Sequence, residues 1–229
     1  NQNYVTPIKY QGGCGSCVAF ATVATLESKI KIATNNSFRE DLSEAQAFFC
    51  AGGDCEIGME ITAALDYCKK SGVGKESCFK YKDEQIKCDI CPFIRCLIAK
   101  IISYHKITSI NAMKQWLKSE GPLLTMLNVY EDFKAYTSGV YSYVYGQFID
   151  GHAVCCIGYD DDKQAWICKN SWNTDWGEDG YFYIAYGECG IDAAMYAIDS
   201  YIINDDWWTC MQELIINQKD AGSAKPIGQ

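Results

Sequence analysis

The chain has 229 residues but only two histidines, His105 and His152, so any imidazole chemistry must use one of them. It lacks a basic excess: 29 Asp and Glu stand against 20 Lys and Arg, for a formal charge of -9. Nucleic acid and anionic membrane surfaces both call for a basic patch, so neither is expected as a partner. The acidity otherwise reads as solubility. No run of about 18 apolar residues occurs, which argues against a transmembrane helix. No Met opens the chain, and no basic segment followed by an apolar one stands at its start. A mature or trimmed polypeptide is expected on that ground. Repeats and low-complexity blocks are also missing.

Cysteine, by contrast, is abundant, with fourteen in the chain. That density points to an oxidising compartment, secreted or lysosome/vacuole-like. Cys155, Cys156 and Cys168 lie in apolar, strand-like stretches. Adjacent strand residues face opposite ways, so Cys155 and Cys156 cannot share one partner. Buried free thiols are the expectation there. Cys88, Cys91 and Cys96 have the spacing of half a zinc site. Only the distant His105 could complete it, and an oxidising setting favours disulfides. No metal and no cofactor is expected.

A hydrophobic share of 48% allows a sizeable core in one or two domains. Helical spacing runs from Cys17 to about Ala33. Ser43 and Gln46 form a capping-box signal ahead of Ala47, Phe48 and Phe49. Further helices are predicted over Met59 to Lys70 and around Asn111 to Ser119. Strands are predicted over Leu123 to Val129, His152 to Gly158, Ala165 to Lys169, Tyr181 to Ala185 and Tyr196 to Ile203. A helical half followed by a strand half implies an α+β chain with two subdomains, about 11–110 and about 111–204. A cleft between such halves is a natural active site. Residues 205–229 read as a C-terminal extension, flexible from Asn217 onward. His105, flanked by Tyr104 and Lys106, reads as a surface residue.

The chemistry concentrates in three stretches. In Gln11-Gly12-Gly13-Cys14-Gly15-Ser16-Cys17, glycines make a tight turn and Cys17 falls at a helix start. A helix N-terminus favours a thiolate. In Asp150-Gly151-His152-Ala153-Val154, His152 enters a strand 135 residues after Cys17. In Lys169-Asn170-Ser171-Trp172, Asn170 follows Cys17 by 153 residues. A thiolate needs an imidazole partner, and an amide oxygen can hold that ring by its far N–H. Taken singly, a cysteine in so cysteine-rich a chain is a disulfide or core residue, and a lone histidine is structural. The three stretches occurring together and in order outweigh those readings.

The sequence resembles the papain-like, cathepsin-type cysteine peptidases over essentially residues 4 to 203. The resemblance rests on Val5 to Ile8, Gln11 to Phe20, Gly151 to Val154, Lys169 to Trp172, Trp176 to Phe182 and Cys189 to Ile191. It implies the papain-like fold, with a helical left subdomain and an antiparallel, barrel-like right one. It implies Cys17 as nucleophile, His152 as base, Asn170 as orienting group and Gln11 as oxyanion donor. Trp172 is read as a cover for the Asn170–His152 bond, or as a plain core tryptophan. Gly15 and Gly58 are implied in substrate binding, with Gly58 pairing its backbone to an extended peptide. Met59, Ala153 and Ala194 are implied to line the specificity pocket, giving an apolar preference two residues before the cleaved bond. Ala194 is equally read as core filling. A Cys14–Cys55 disulfide is implied, and Cys50 is expected to bridge into the Cys78–Cys96 region.

Four departures from the pattern stand out. Val18 replaces the usual Trp after the nucleophile, Ile57 replaces a Gly beside Gly58, and Asn173 replaces a Gly in a turn. The cysteine usually found before the histidine is missing, which leaves Cys189 without its expected partner. The paired histidines of a cathepsin B-like exopeptidase loop are absent, so endopeptidase action is expected. Protein or peptide substrates, the chain's own propeptide and proteinaceous inhibitors are the partners the resemblance implies, and a monomer is expected. A Cys17–His152 ion pair is the expected resting state. The rival readings are a catalytically idle relative acting as a binding module, and a peptide ligase using the same acyl-enzyme.

Overall fold

The computed structural model describes residues 4–90 and 98–204. The expected flexible tail, and Cys91, Cys96 and Cys210, lie outside the described residues. Helix α1 (Cys17–Ala33) is buried on every side from Cys17 to Ile30, as an apolar core helix must be. Helix α2 (Glu44–Phe49) opens with the Ser43 hydroxyl accepting the Gln46 N–H at 3.0 Å. Only half of the capping box forms. The Gln46 side chain instead donates to the Tyr67 hydroxyl and the Gly72 carbonyl, and accepts the Gly74 N–H. Helix α3 (Ile61–Lys70) starts two residues later than predicted, because Glu60 before it is extended.

Strand β1 (Ile98–Ile107) is followed by α4 (Ile110–Ser119) and β2 (Leu123–Tyr130). A 3-10 turn over Glu131–Ala135 leads to β3 (Val140–Tyr141), β4 (Phe148–Asp160), β5 (Ala165–Lys169), β6 (Tyr181–Ala185) and β7 (Met195–Asn204). The strands form one sheet in the order β1-β7-β2-β4-β5-β6-β3. All pairs are antiparallel except β3 with β6, so the sheet is mixed. Strand β1 sits inside the stretch read as helical and pairs along β7. Its register shifts around Ile101 and Ser103, and these break the two-residue alternation that announces a strand.

Two hydrophobic clusters result. One surrounds α1, α2 and α3, and the other fills the space between the sheet and α4. Between them lies a set of buried charges. The Lys9 ammonium reaches Glu44 Oε1 at 2.6 Å and Asp41 Oδ1 at 2.5 Å. Glu27 accepts the Leu42 N–H at 2.8 Å. Lys169, at the end of β5, donates to Thr6 Oγ1 at 2.9 Å. Burial works against the Lys9 ammonium, but Glu44, Glu27 and Asp41 outweigh it and hold its pKa above the usual lysine value. Burial pushes the Glu44 carboxyl up, and the pull of Lys9 opposes it.

Removing one member of a buried charge set is costly because the others stay buried. Lys9→Met should therefore lower unfolding stability by about 3 kcal/mol in urea titrations near neutral pH. Adding Glu44→Gln to that variant should restore part of the loss.

Candidate active site

Cys17 is the first residue of α1, directly after Ser16 at the helix N-cap. The first turn carries no acidic side chain, so the positive end of the helix dipole is left unopposed. Ala19 and Phe20 both direct their N–H to the Ser16 carbonyl. The thiol lies against backbone groups of Cys17, Val18 and Ala153, all of which favour the thiolate. Burial acts the other way and is larger, so the Cys17 thiol is pushed up.

His152 sits where β4 turns from exposed to buried, opposite Leu127 of β2. Its Nε2 lies 2.7 Å from Asn170 Oδ1. The same oxygen accepts the Ser171 N–H at 2.8 Å, which fixes it as the oxygen side of the amide. Nε2 must then carry the proton, and the lone pair of the neutral ring falls on Nδ1. The Trp172 indole stacks on the imidazole, with centroids 4.6 Å apart and planes at 30°. Trp172 also borders the groove. Burial pulls the His152 imidazole down to about 4, opposed by the Asn170 bond and the Asp150 carboxylate.

Burial thus favours the neutral form of both Cys17 and His152. The backbone N–H groups at the start of α1 act the other way on Cys17, and the Asn170 bond and the Asp150 carboxylate on His152.

Gln11 is held from both sides. Its backbone N–H donates to the Ser171 carbonyl at 2.9 Å, and Tyr10 forms a bridge with Trp172. Its side-chain Nε2 donates to the Cys14 carbonyl at 3.0 Å, while Oε1 accepts the Ser171 hydroxyl at 2.7 Å. One amide N–H remains for an incoming oxygen. The Tyr81 hydroxyl donates to the Gln11 carbonyl at 2.7 Å and meets Ser16 Oγ at 2.6 Å. The sequence offered no signal for Tyr81, which lies 70 residues along the chain from Gln11.

These groups face one groove of about 650 Å³. It is lined by Gln11, Gly15, Cys17, Gly58, Met59, His152 and Trp172, so most of the residues nominated from sequence meet there. Ala153 is buried behind Cys17 and Ala194 gives its carbonyl to Thr125; neither lines this groove. Met126, Val129, Lys134 and Ile149 do line it, and sequence reading missed them. Gly58, at φ +84, adopts the left-handed backbone that favours glycine.

A model of the papain family cysteine proteases matches residues 1–198. The chain belongs to that family. It is 36% identical over 203 residues to "Cathepsin B-like CP2" of Giardia intestinalis, which covers 82% of this chain and 67% of the relative. The structure of digestive procathepsin L2 from Tenebrio molitor superposes with a TM-score of 0.74 at 29% identity, over 85% of this chain and 64% of that one. Bromelain protease from Ananas comosus, in complex with the E64 inhibitor, gives a TM-score of 0.71 at 31% identity, over 84% and 93%. The chain thus spans about two thirds of the length of the Giardia relative and of the procathepsin.

Against the papain-family pattern, the departures can now be placed. Val18 is buried in the helical cluster and borders the groove. Ile57 stands 88% exposed on the rim and does not plug the groove. Asn173 takes φ 70, the left-handed conformation expected of it. Cys14 and Cys55 are bonded as implied, and Cys50 pairs with Cys88. That pairing removes Cys88 from any zinc site. Cys155, Cys156, Cys168 and Cys189 are free thiols.

In the unfolded chain His152 titrates near 6.5, but in the fold near 4. Between those values the unfolded chain takes up a proton that the fold excludes. This contribution is therefore complete above about 6.5 and is lost as pH falls toward 4. The melting temperature of Cys17→Ala should fall across that window, and less steeply in Cys17→Ala/His152→Phe.

Proposed function

We propose that this chain is a cysteine endopeptidase that cleaves peptide bonds through a thioester on Cys17. The observation that carries the reading is the His152 Nε2–Asn170 Oδ1 bond of 2.7 Å, set in the same groove as a cysteine at a helix N-terminus. The bond leaves Nδ1 of the ring as the free base. In the proposed reaction Nδ1 takes the Cys17 thiol proton, forming the imidazolium, and the sulfur attacks the scissile carbonyl. The oxyanion is met by the free Gln11 amide N–H and the Cys17 backbone N–H. The imidazole gives its proton to the leaving nitrogen, the C–N bond breaks, and the amine product departs. Water then loses a proton to the same imidazole, attacks the thioester and releases the acid.

Met59 on the groove wall supports an apolar residue two places before the cleaved bond. Gly15 and Gly58 supply backbone beside the bound strand, and Trp172 shields the His152–Asn170 bond from water. The helical and strand subdomains form the two walls. The chain's own propeptide and proteinaceous inhibitors would occupy the same groove, in a monomeric enzyme of a secreted or lysosome/vacuole-like compartment. The idle-homologue reading has less support, because Cys17, His152, Asn170 and Gln11 are all present and the groove is open.

A mechanism-based epoxide should label the wild-type chain and leave Cys17→Ala unlabelled; no labelling of either would support the idle homologue. Gln11→Ala should lower kcat by about 10²–10³-fold with a smaller change in KM. The rate of Cys17 alkylation should show a limb well below about 8.5, the free-thiol value, if the ion pair is the resting state. A single limb at or above that value would reject the ion pair.

A further inference from the structure

Two free thiols face each other inside the sheet, and neither has a part in the reaction above. We propose that Cys156 of β4 and Cys168 of β5 are a redox pair: a small-molecule disulfide oxidises them to a cross-strand bond that clips β4 to β5 beside the His152–Asn170 contact. The inference does not rest on the peptidase reading.

The sheet sets the pairing. Cys156 stands directly opposite Cys168 in the antiparallel β4–β5 register. Opposed residues point to the same face, with Cα atoms about 4.5 or about 5.5 Å apart according to the pair type. A disulfide spans about 4.4–6.8 Å between Cα atoms, so either type suits it. Both thiols are fully buried and in hydrogen-bond contact with each other. The register of β4 shifts between Cys156 and Gly158, which gives that strand slack for the sulfurs to close. Cys155 is no competitor. It stands opposite Lys169 on the other face, where its sulfur accepts the Thr25 hydroxyl of α1 at 3.4 Å.

The chain also carries the Cys14–Cys55 and Cys50–Cys88 disulfides, and conditions that make those bonds oxidise a facing pair as well. One thiol gives up its proton, and the thiolate attacks the reagent disulfide and releases one reagent thiolate. The second thiol, deprotonated in turn, attacks the mixed disulfide and expels the other. Two protein thiols thus lose two protons and two electrons, and one reagent disulfide becomes two thiols. Burial, and then Cys156 beside it, push the Cys168 thiol well up, so the pair reacts when the β4–β5 hairpin opens or while the chain folds. His152 lies four residues before Cys156 on β4, and Asn170 two residues after Cys168. The bond therefore joins the two strands that bring imidazole and amide to 2.7 Å.

Oxidised glutathione tests this on the full chain carrying Cys17→Ala, so that the groove thiol takes no part. One sample is treated folded, and another is refolded from urea in a glutathione buffer. Both are then alkylated and cut with trypsin. Trypsin cuts after Lys163, between the two cysteines, so the bond joins the peptides ending at Lys163 and Lys169. The linked product should carry an alkylated Cys155. It should persist in Cys155→Ser and vanish in Cys156→Ser and in Cys168→Ser. Oxidation should raise the melting temperature by several degrees and slow amide exchange along β4 and β5, and should do neither once Cys156→Ser and Cys168→Ser are combined. Alkylation of both Cys156 and Cys168 after both treatments, or a link from Cys168 to Cys155, would overturn the pair. A linked product with unchanged melting and exchange would overturn the clip.

Discussion

The short segment from Thr6 to Gln11 ties the two halves of the molecule together, and the site depends on it. Thr6 takes the Lys169 ammonium from the sheet. Lys9 places its own ammonium on Glu44 of the helical half. Gln11 hydrogen-bonds Ser171 through both backbone and side chain. The Lys9 carbonyl accepts the Asn173 N–H at 3.2 Å. One strap therefore sets the position of the Gln11 amide and of the loop that carries Asn170. Long charged side chains do this at a cost in desolvation, which is why their partners must be complete. An apolar strap would bury as well but would not fix register along the groove.

Within that frame the orienting amide works by exclusion. Asn170 Oδ1 accepts two N–H donors, while Nδ2 is buried with no hydrogen-bond partner among the described residues. A flipped amide would set its N–H against the fixed Ser171 N–H, so the oxygen must face that donor and the His152 Nε2 must carry the proton. The unsatisfied Nδ2 is thus the lesser of two penalties, and its presence fixes the tautomer of His152. The Trp172 indole stacks on the imidazole of that pair.

The groups proposed to react stand out in the sequence because each sits at the start or end of a regular element with a local signal. Cys17 opens a helix announced by glycines, His152 enters a strand through Gly151, and Asn170 follows the last residue of β5. Helix α1 and strands β5 and β6 occupy the spans that periodicity predicts. Strand β1 was hidden by its bulges, and β3 is too short to show a period. Tyr81, Lys134, Met126 and Ile149 stayed invisible for a different reason. They reach the site only through tertiary packing, from turns and strands far away in sequence, and no local pattern marks them. Ala194, read from sequence either as pocket lining or as core filling, lies outside the groove lining and gives its carbonyl to Thr125.

The same distinction explains why the departures from the papain-family pattern leave the reacting groups in place. Val18 and Ile57 change the shape of the walls, and neither contributes a hydrogen bond to His152, Asn170 or the Gln11 side chain. A valine fills less space beside Cys17 than a tryptophan would, and an exposed isoleucine adds a ridge where a glycine would leave a gap. Asn173 keeps the left-handed turn and uses its Oδ1 to accept the Thr174 N–H at 2.9 Å, so the chain still returns to the strap. Ile57 stands on a loop pinned by the Cys14–Cys55 disulfide, while Val18 follows Cys17 on α1 itself and alters the groove wall from within the helix. The reacting groups hang on α1, β4 and the strap. The Ile57 loop can therefore vary apart from the buried charges that join the halves, whereas a change at Val18 shares the helix that those charges help to seat.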